Sequence, residues 1–347
     1  MIQENEDVLP RVTVAVCTRD RVQHLTGCLA AIERLTYPRL DILLVDNAPE
    51  TDAAERLVTK EFPDVRYVTE PRPGLDWSRN RAIMEAKGEI IVFTDDDVVV
   101  EPEWIQAIVK VFVENVHVMA VTGLVLPYEL ETETQVLFEM YGGFGKGLER
   151  REFPPHEGHG CCKWAHLAAG DLGTGANMAF RRPLFDAIGG FDPALDVGTA
   201  TCGGGDLEMF FRVIQEGYTL IYEPAAVVRH IHRREYRELK TQIRSWGTAF
   251  IAYLMKSARA YPKERLRIYC FTLRWVIGRH LIRAITQLLG PRRIPLNLML
   301  MELWGSMNGF FAYRTASIRA DDIRSNFGPI GASFPVPGAP IENADEK

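Results

Sequence analysis

The first 115 residues alternate between two hydrophobic periods. Short apolar runs rich in β-branched residues predict strands at Arg11–Cys17, Leu40–Val45, Val65–Thr69 and Glu89–Thr94. Apolar residues every three or four positions predict helices at Val22–Leu35, Thr51–Phe62, Trp77–Lys87 and Pro102–Glu114. Strands and helices that alternate at this spacing form parallel βαβ units, and ligands bind where such strands end. This half of the chain is therefore predicted to be a doubly wound α/β sheet.

The pattern is less regular beyond Val125. A connection rich in Gly, His and Cys leads to a predicted strand at Gly173–Phe180 and to helices at Pro183–Ile188 and Asp206–Glu216. Longer helical patterns follow at Arg233–Ser257, Lys263–Leu289 and Leu296–Ala316. From Gly328 onward the chain is rich in Pro, Gly and acidic residues, a composition typical of a disordered tail.

Charge is unevenly distributed along the chain. The 347 residues have a net charge of −6, yet the segment from Arg229 to Arg293 contains 16 Lys and Arg and three acidic residues. This segment therefore carries +13, and the remainder of the chain carries −19. We expect the basic segment to contact an anionic partner, and a solvated basic helical surface is the alternative.

Arginines recur every few residues within Arg265–Leu289, among Leu, Ile, Phe, Trp and Val. This pattern is typical of a helix in the interface of an anionic membrane, and equally of a helix that packs on the rest of the protein. No motif that reads nucleic acid accompanies it, so a nucleic-acid partner is not expected.

The cellular compartment follows from the cysteines and the N-terminus. Six cysteines at irregular spacing do not indicate a disulfide framework, and Met1–Pro10 is acidic rather than basic and apolar. No uncharged apolar run approaches the ~20 residues that a spanning helix requires. The sequence predicts a cytoplasmic protein with peripheral contact at the inner face of the cell membrane through residues 229–293.

Three consecutive aspartates, Asp95, Asp96 and Asp97, follow the fourth predicted strand directly. Adjacent carboxylates repel one another unless a cation compensates, and a hard divalent ion shared with substrate phosphates would do so. A helix cap is the structural alternative. The second alternative is another class of enzyme, a haloacid-dehalogenase-like phosphatase, with Asp95 as nucleophile and Asp97 as general acid. In that family, however, the loop that contains the two aspartates normally follows the first strand.

A series of motifs follows along the chain: Val14–Arg21, Val45–Pro49, Glu70–Leu75, Ser78–Ala82, Asp95–Asp97, Gly173–Arg181, Gly189–Asp192 and Gly203–Glu208. They cover roughly Arg11–Tyr222. In this order and spacing they resemble family 2 glycosyltransferases of the GT-A fold. The resemblance implies a nucleotide-binding sheet, an acceptor-side subregion and a helical C-terminal extension. It also implies an inverting hexosyl transfer from a nucleoside-diphosphate sugar with Mn²⁺ or Mg²⁺.

The resemblance also assigns donor-side roles. Thr18, Arg19 and Asp20 would line the nucleotide pocket, and Asp46 would accept a hydrogen bond from the base. Arg79 would offer its planar fork to the diphosphate. Asp95 and Asp96 would contact the nucleotide-sugar. Asp97 would coordinate the metal, and His230 is a further candidate for the metal or the diphosphate.

On the acceptor side, Asp206 matches the aspartate of the family's Glu-Asp motif, the general base that deprotonates the acceptor hydroxyl. Gly205 stands where the family usually has Glu, and Glu208 would supply some of the missing polar contact to the acceptor. A helix cap is the structural alternative for Asp206. Because of Gly205, a catalytically inactive protein that binds nucleotide-sugars is a further alternative.

These motifs divide the chain into four parts. Residues 1–10 form an N-terminal tail, 11–228 the glycosyltransferase domain, 229–327 a basic helical region and 328–347 the tail. Within the domain, 11–126 would bind the nucleotide-sugar and 127–228 the acceptor. A saccharide or lipid-linked acceptor in the synthesis of cell-surface polysaccharide or glycolipid fits the basic region.

Overall fold

The computed structural model describes residues 9–156, 165–289 and 294–328. The strands are β1 (Val12–Thr18), β2 (Leu40–Asn47), β3 (Arg66–Glu70), β4 (Ile90–Asp95), β5 (Val98–Val100), β6 (Val118–Pro127), β7 (Arg151–Phe153), β8 (Met178–Arg181) and β9 (Thr219–His230). The α-helices are α1 (Val22–Ile32), α2 (Ala53–Glu61), α3 (Leu75–Glu85), α4 (Trp104–Glu114), α5 (Glu133–Tyr141), α6 (Leu184–Ile188), α7 (Gly205–Gln215), α8 (Tyr236–Ala260), α9 (Arg265–Leu289) and α10 (Leu296–Phe327). The predicted elements are present, most with ends shifted by up to three residues.

A single mixed sheet organises the molecule, with strand order β3-β2-β1-β4-β8-β6-β9-β5 and β7 paired with β9. Strands β1 to β4 are parallel, as the βαβ pattern predicts. Strand β8 then pairs antiparallel with both β4 and β6. In this register Thr18 lies opposite Asp46, and Cys17 lies opposite Asp95. The carboxyl ends of β1, β2 and β4 therefore meet at one edge and bring the donor-side candidates together.

Strand β6 and helix α5 are among the elements that were not predicted. Strand β6 is an apolar run of ten residues, which periodicity alone does not separate from a buried helix. Helix α5 begins with a capping box. The side chain of Thr132 accepts a hydrogen bond from the backbone N–H of Gln135, and the side chain of Gln135 accepts one from the backbone N–H of Thr132. The spacing of Thr132 and Gln135 is a sequence signal for a helix start, and it could have located α5.

The C-terminal helices share a core with the sheet. Phe250, Tyr253 and Leu254 of α8 belong to the same buried cluster as Phe180 of β8 and Phe210 of α7. The predicted boundary between residues 228 and 229 falls inside β9, since this strand continues to His230. The C-terminal helices thus pack directly against the sheet and share its hydrophobic core.

Many cations of the basic segment pair within the protein. Arg279 and Arg283 bind Glu302 at 2.7 Å each, Arg229 binds Glu101 at 2.6 Å, and Lys256 binds Glu208. Arg234 also binds Glu129 and Glu131, and the guanidinium of Arg244 lies 4.4 Å from the ring of Trp304. Intramolecular ion pairs therefore neutralise part of the positive charge of the basic segment.

None of the helices in the described ranges combines the length and the apolar character needed to cross a bilayer.

Candidate active site

A cavity of about 490 Å³ opens at the carboxyl edge of the sheet and extends under the C-terminal helices. Its charged lining includes Asp76, Arg79, Asp95 and Asp206. Its lining also includes an aromatic wall, formed by Tyr141, Phe144, Trp246, Phe250 and Trp275, with Arg279 and Glu302 beside it. A cleft with charged groups and several aromatic side chains is typical of a site for an amphipathic organic ligand.

Asp46 lies at the end of β2 and is buried. Its Oδ2 accepts a hydrogen bond from the hydroxyl of Tyr67 at 2.8 Å, and its Oδ1 has no partner among the described residues. Burial raises the pKa of Asp46, although the bond from Tyr67 opposes the shift. An unpaired carboxylate oxygen at this edge is available to a donor N–H, as the sequence predicts for a nucleotide base.

Arg19 and Asp20 lie in the loop after β1. Asp20 has a φ of 52° and accepts a hydrogen bond from the backbone N–H of Glu50 at 3.1 Å. Arg19 is partly exposed, with Nε 3.8 Å from Asp20. The loop therefore bridges the ends of β1 and β2 beside Asp46.

The three adjacent aspartates point to different partners. Asp96 is buried, accepts a hydrogen bond from Thr18 at 2.7 Å and binds Arg21 at 2.8 Å. Asp97 binds the same arginine at 2.7 Å, and Asp95 lies 3.9 Å from Arg79. Thr18 and Asp96 are thus satisfied by each other instead of facing an open pocket. Two arginines, Arg21 and Arg79, thus compensate these carboxylates in addition to the metal that the sequence predicts.

Burial changes the ionisation of this run. It raises the pKa of Asp95 to about 7 against the effect of Arg79, and it raises the pKa of Asp96 to about 6 against Arg21. Burial also raises the pKa of Asp97, but His230 and Arg21 outweigh it and the net shift is downward. Asp97 is therefore the most strongly ionised of the three at neutral pH, as a metal ligand must be.

His230 faces Asp97, with Nε2 3.3 Å from Oδ1. Its other ring nitrogen lies 3.1 Å from Nδ1 of His232, whose Nε2 lies 2.8 Å from Glu139. Burial lowers the pKa of His230 to about 4, so the imidazole is neutral at neutral pH. A neutral imidazole oriented through its second nitrogen is the form that binds metals.

No group of three His, Cys, Asp or Glu side chains is arranged to hold a metal within residues 9–156, 165–289 and 294–328. Asp97 and His230 nevertheless offer an oxygen and a nitrogen donor that would hold a divalent ion. The donor set is one ionised carboxylate and one neutral imidazole.

Asp206 and Arg79 converge on Gly175. Asp206 lies in the first turn of α7 and accepts hydrogen bonds from the backbone N–H of Gly175 at 2.8 Å and of Leu207 at 2.9 Å. A Cβ built on Gly175 would lie 2.6 Å from Nη2 of Arg79 and 3.2 Å from Oδ2 of Asp206. Only glycine lets both charged groups approach the same stretch of backbone. A carboxylate and a guanidinium thus share one end of the cavity.

Comparison with known proteins finds a family match for part of the chain. Residues 13–169 match the family model described as "Glycosyl transferase family 2". This part of the chain is a glycosyltransferase family 2 region. The glucosyl-dolichyl phosphate glucuronosyltransferase of Haloferax volcanii is 24% identical over 228 residues, which are 63% of this chain and 69% of that protein. The O-antigen biosynthesis protein RfbC of Myxococcus xanthus is 29% identical over 240 residues, 64% of this chain and 17% of RfbC.

A solved structure supports the fold. The Pyrobaculum calidifontis mannosyltransferase PcManGT, in complex with GDP-Man and Mn²⁺, matches with a TM-score of 0.52 and 18% identity, over 90% of this chain and 88% of that one. The predicted GT-A fold with its helical C-terminal extension is confirmed. The phosphatase alternative gains no support, because the aspartates follow the fourth strand of a glycosyltransferase sheet and none of these relatives is a phosphatase.

The structure differs from two acceptor-side predictions, those for Glu208 and for a helix cap at Asp206. Glu208 does not line the cavity; it is fully buried, binds Arg212 at 2.8 Å and contacts Lys256. Its pKa is lowered, because these two cations outweigh the effect of burial. A carboxylate paired in this way tethers α7 to α8 and is not free for an acceptor, which corrects the prediction. Asp206 is likewise not the cap of α7, since Gly204 takes that position.

Some groups of the candidate site were not predicted from the sequence. Arg21 joins Asp96 and Asp97, and its only sequence signal was its place in the loop after β1. The rings of Phe250 and Trp275 stack with centroids 4.1 Å apart to form part of the aromatic wall. That contact joins two helices whose periodicity showed only that they were amphipathic.

Proposed function

We propose that this protein is an inverting, metal-dependent glycosyltransferase that moves a hexose from a nucleoside-diphosphate sugar to an acceptor hydroxyl. The observation that carries the proposal is the convergence of Asp206 and Arg79 on Gly175. An inverting transfer requires a base for the incoming hydroxyl and a stabiliser for the leaving diphosphate. Asp206 and Arg79 supply these two groups at one end of the cavity.

Each bond change has a residue assigned to it. Asp206 takes the proton of the acceptor hydroxyl as that oxygen forms its bond to the anomeric carbon. The bond from this carbon to the diphosphate oxygen breaks, and its electron pair leaves with the nucleoside diphosphate. Arg79 stabilises the resulting charge through its planar guanidinium. Asp97 and His230 would hold a divalent ion, which would supply Lewis-acid stabilisation of the same diphosphate.

The relatives support the substrate classes. The mannosyltransferase structure contains GDP-Man and Mn²⁺, which favours a nucleotide-sugar and a divalent ion for this chain as well. The named activities of the Haloferax and Myxococcus relatives concern a dolichyl-phosphate-linked sugar and O-antigen. A saccharide or lipid-linked acceptor in cell-envelope glycan synthesis is therefore the acceptor class that we propose.

We expect one nucleotide class among UDP-, GDP- and dTDP-sugars to raise the melting temperature strongly in Mn²⁺ and weakly in EDTA. A ligand at 100 times its Kd stabilises the folded state by about 2.7 kcal/mol. Thermal-shift measurements with each sugar nucleotide test this expectation. Release of nucleoside diphosphate from the stabilising donor then separates an enzyme from an inactive binding protein. If no donor shifts the melting temperature or is consumed, the proposed function is wrong.

We further infer that α9 rests on an anionic lipid surface. Leu266, Leu273, Ile277 and Leu281 recur at helical spacing, and each is between 56% and 75% exposed. The exposed Arg274 lies within this stretch and has no ion pair among the described residues. An apolar stripe with basic side chains matches the interface of a membrane that contains anionic lipid.

Vesicle flotation tests this contact. The parent protein is expected to float with vesicles of phosphatidylcholine and phosphatidylglycerol, and far less with phosphatidylcholine alone. Leu273→Glu combined with Ile277→Glu is expected to reduce binding at least about ten-fold, because each change places a charge in the apolar contact. Val113→Glu with Val116→Glu, exposed apolar positions outside the stripe, is the matched control. Failure of the parent to float, or equal loss in the control, contradicts the inference.

A further inference from the structure

Asp76, in the first turn of α3, has a buried carboxylate that is only half satisfied. The side chain lines the cavity of the candidate active site, and the residue is 1% exposed. Its Oδ1 accepts a hydrogen bond from Nη1 of Arg79 at 3.0 Å, and its Oδ2 has no partner among the described residues. Leaving a buried carboxylate oxygen without a partner is costly, so the lone oxygen indicates a hydrogen-bonding ligand.

The carboxylate of Asp76 occupies the space beside Gly205. A Cβ built on Gly205 would overlap Oδ2 of Asp76 and lie 2.6 Å from its Cγ, whereas real Cβ atoms keep at least 3.0 Å. No side chain fits at position 205 while Asp76 keeps this position. The glycine that departs from the Glu-Asp motif is therefore matched by a carboxylate from another element.

Asp76 is held firmly in this position. Asp196 accepts hydrogen bonds from the backbone N–H of Leu75 at 2.7 Å and of Asp76 at 3.1 Å, which fixes the start of α3. Burial and the nearby Asp196 raise the pKa of Asp76, although Arg79 opposes the shift.

We propose that Asp76 binds the acceptor sugar in place of the side chain that position 205 lacks. Its Oδ2 forms a hydrogen bond with a hydroxyl next to the one that Asp206 deprotonates. The acceptor is then a glycoside with two neighbouring hydroxyls directed at the two carboxylates. The aromatic wall lines the same cavity, and the remainder of the acceptor would pack against it. This inference rests on the proposed function and assigns its acceptor-side contact.

The test measures the binding of octyl glycosides of glucose, galactose, mannose and N-acetylglucosamine, in the presence of Mn²⁺ and the nucleoside diphosphate that stabilises the protein. Asp76→Ala is expected to weaken glycoside affinity on the order of 10- to 100-fold, the effect of removing a hydrogen bond to a charged group. Nucleotide affinity is expected to change by less than about two-fold, because the phosphate-facing groups remain. Asp76→Asn keeps an acceptor for Arg79 and is expected to bind nucleotide normally and glycoside weakly.

A pair of compensating changes makes the test specific. Gly205→Glu alone is expected to lose glycoside binding, because its Cβ displaces Asp76. Asp76→Ala together with Gly205→Glu removes that overlap and returns a carboxylate from position 205. The double variant is therefore expected to bind glycoside at least about ten-fold better than either single variant, a departure from additivity that indicates direct contact. Thermal unfolding of each variant verifies that it folds.

The outcomes separate this inference from the proposed function. Equal losses of nucleotide and glycoside affinity in Asp76→Ala would show that Asp76 only orients Arg79, and would overturn the proposal. A parent that binds nucleoside diphosphate but none of the glycosides also overturns it, while the glycosyltransferase assignment stands. Absence of nucleotide binding and of donor consumption contradicts the proposed function itself.

Discussion

Asp206→Asn is expected to lower kcat by about 10²- to 10⁴-fold, the usual contribution of a general base. The amide has nearly the same shape, and its oxygen still accepts the hydrogen bond from Leu207 that now lies at 2.9 Å. It cannot take a proton from the acceptor hydroxyl at neutral pH. The loss should therefore fall on kcat, with little change in donor affinity. A small fall in the melting temperature is also expected, because the amide nitrogen faces the N–H of Gly175 and cannot accept its hydrogen bond.

Initial-rate kinetics with the donor identified by thermal shift will measure this effect. Asp186→Asn, which neutralises an exposed carboxylate on α6, is the matched control and should retain parental activity. If Asp206→Asn keeps more than about a tenth of the parental kcat, Asp206 is not the base. A similar fall in Asp186→Asn would indicate a general effect of charge.

Asp97→Asn is expected to remove the Mn²⁺-dependent part of donor binding and to lower kcat by about 10³-fold. Preorganised charge at a leaving group contributes effects of this size. Asp97 is the most strongly ionised member of the aspartate run and faces the neutral His230 at 3.3 Å. Its amide would be a weak ligand, and it would also lose the ion pair with Arg21.

Thermal shift with the nucleoside diphosphate, in Mn²⁺ and in EDTA, separates metal binding from nucleotide binding. The parent should show a larger shift in Mn²⁺, and Asp97→Asn should show the same small shift in both. Glu101→Gln, which breaks a partly exposed ion pair with Arg229, serves as the control. A full Mn²⁺-dependent shift in Asp97→Asn would exclude Asp97 as the ligand.

The parallel half of the fold could be predicted from the sequence because local periodicity determines it. The sequence located strands β1 to β4 and the helices between them, and the predicted ends differ from the observed ones by about three residues or fewer. Each strand is a short apolar run, and each helix has its own hydrophobic face. The antiparallel half depends on long-range pairing, such as that of β8 with both β4 and β6, and no local pattern records such pairing.

Some residues of the candidate site could likewise be predicted from the sequence, and others could not. Residues at strand ends, among them Asp46 and Asp95, were found because parallel strands end at one edge of a sheet. The orientation of side chains in the turns and helices could not be found from spacing. Glu208 and Asp206 are two residues apart on α7, yet one is buried against Lys256 and the other faces the cavity.

The sequence by itself determined the resemblance to family 2 glycosyltransferases, the order of most elements and the carboxylates at the sheet edge, because these depend on composition and spacing along the chain. The tertiary structure alone decided which partner each carboxylate meets. It directs Asp96 to Thr18 and Asp97 to His230, and it places Asp76 where Gly205 has no side chain. These contacts join residues 78 to 133 positions apart, and only the packing of whole elements brings such residues together.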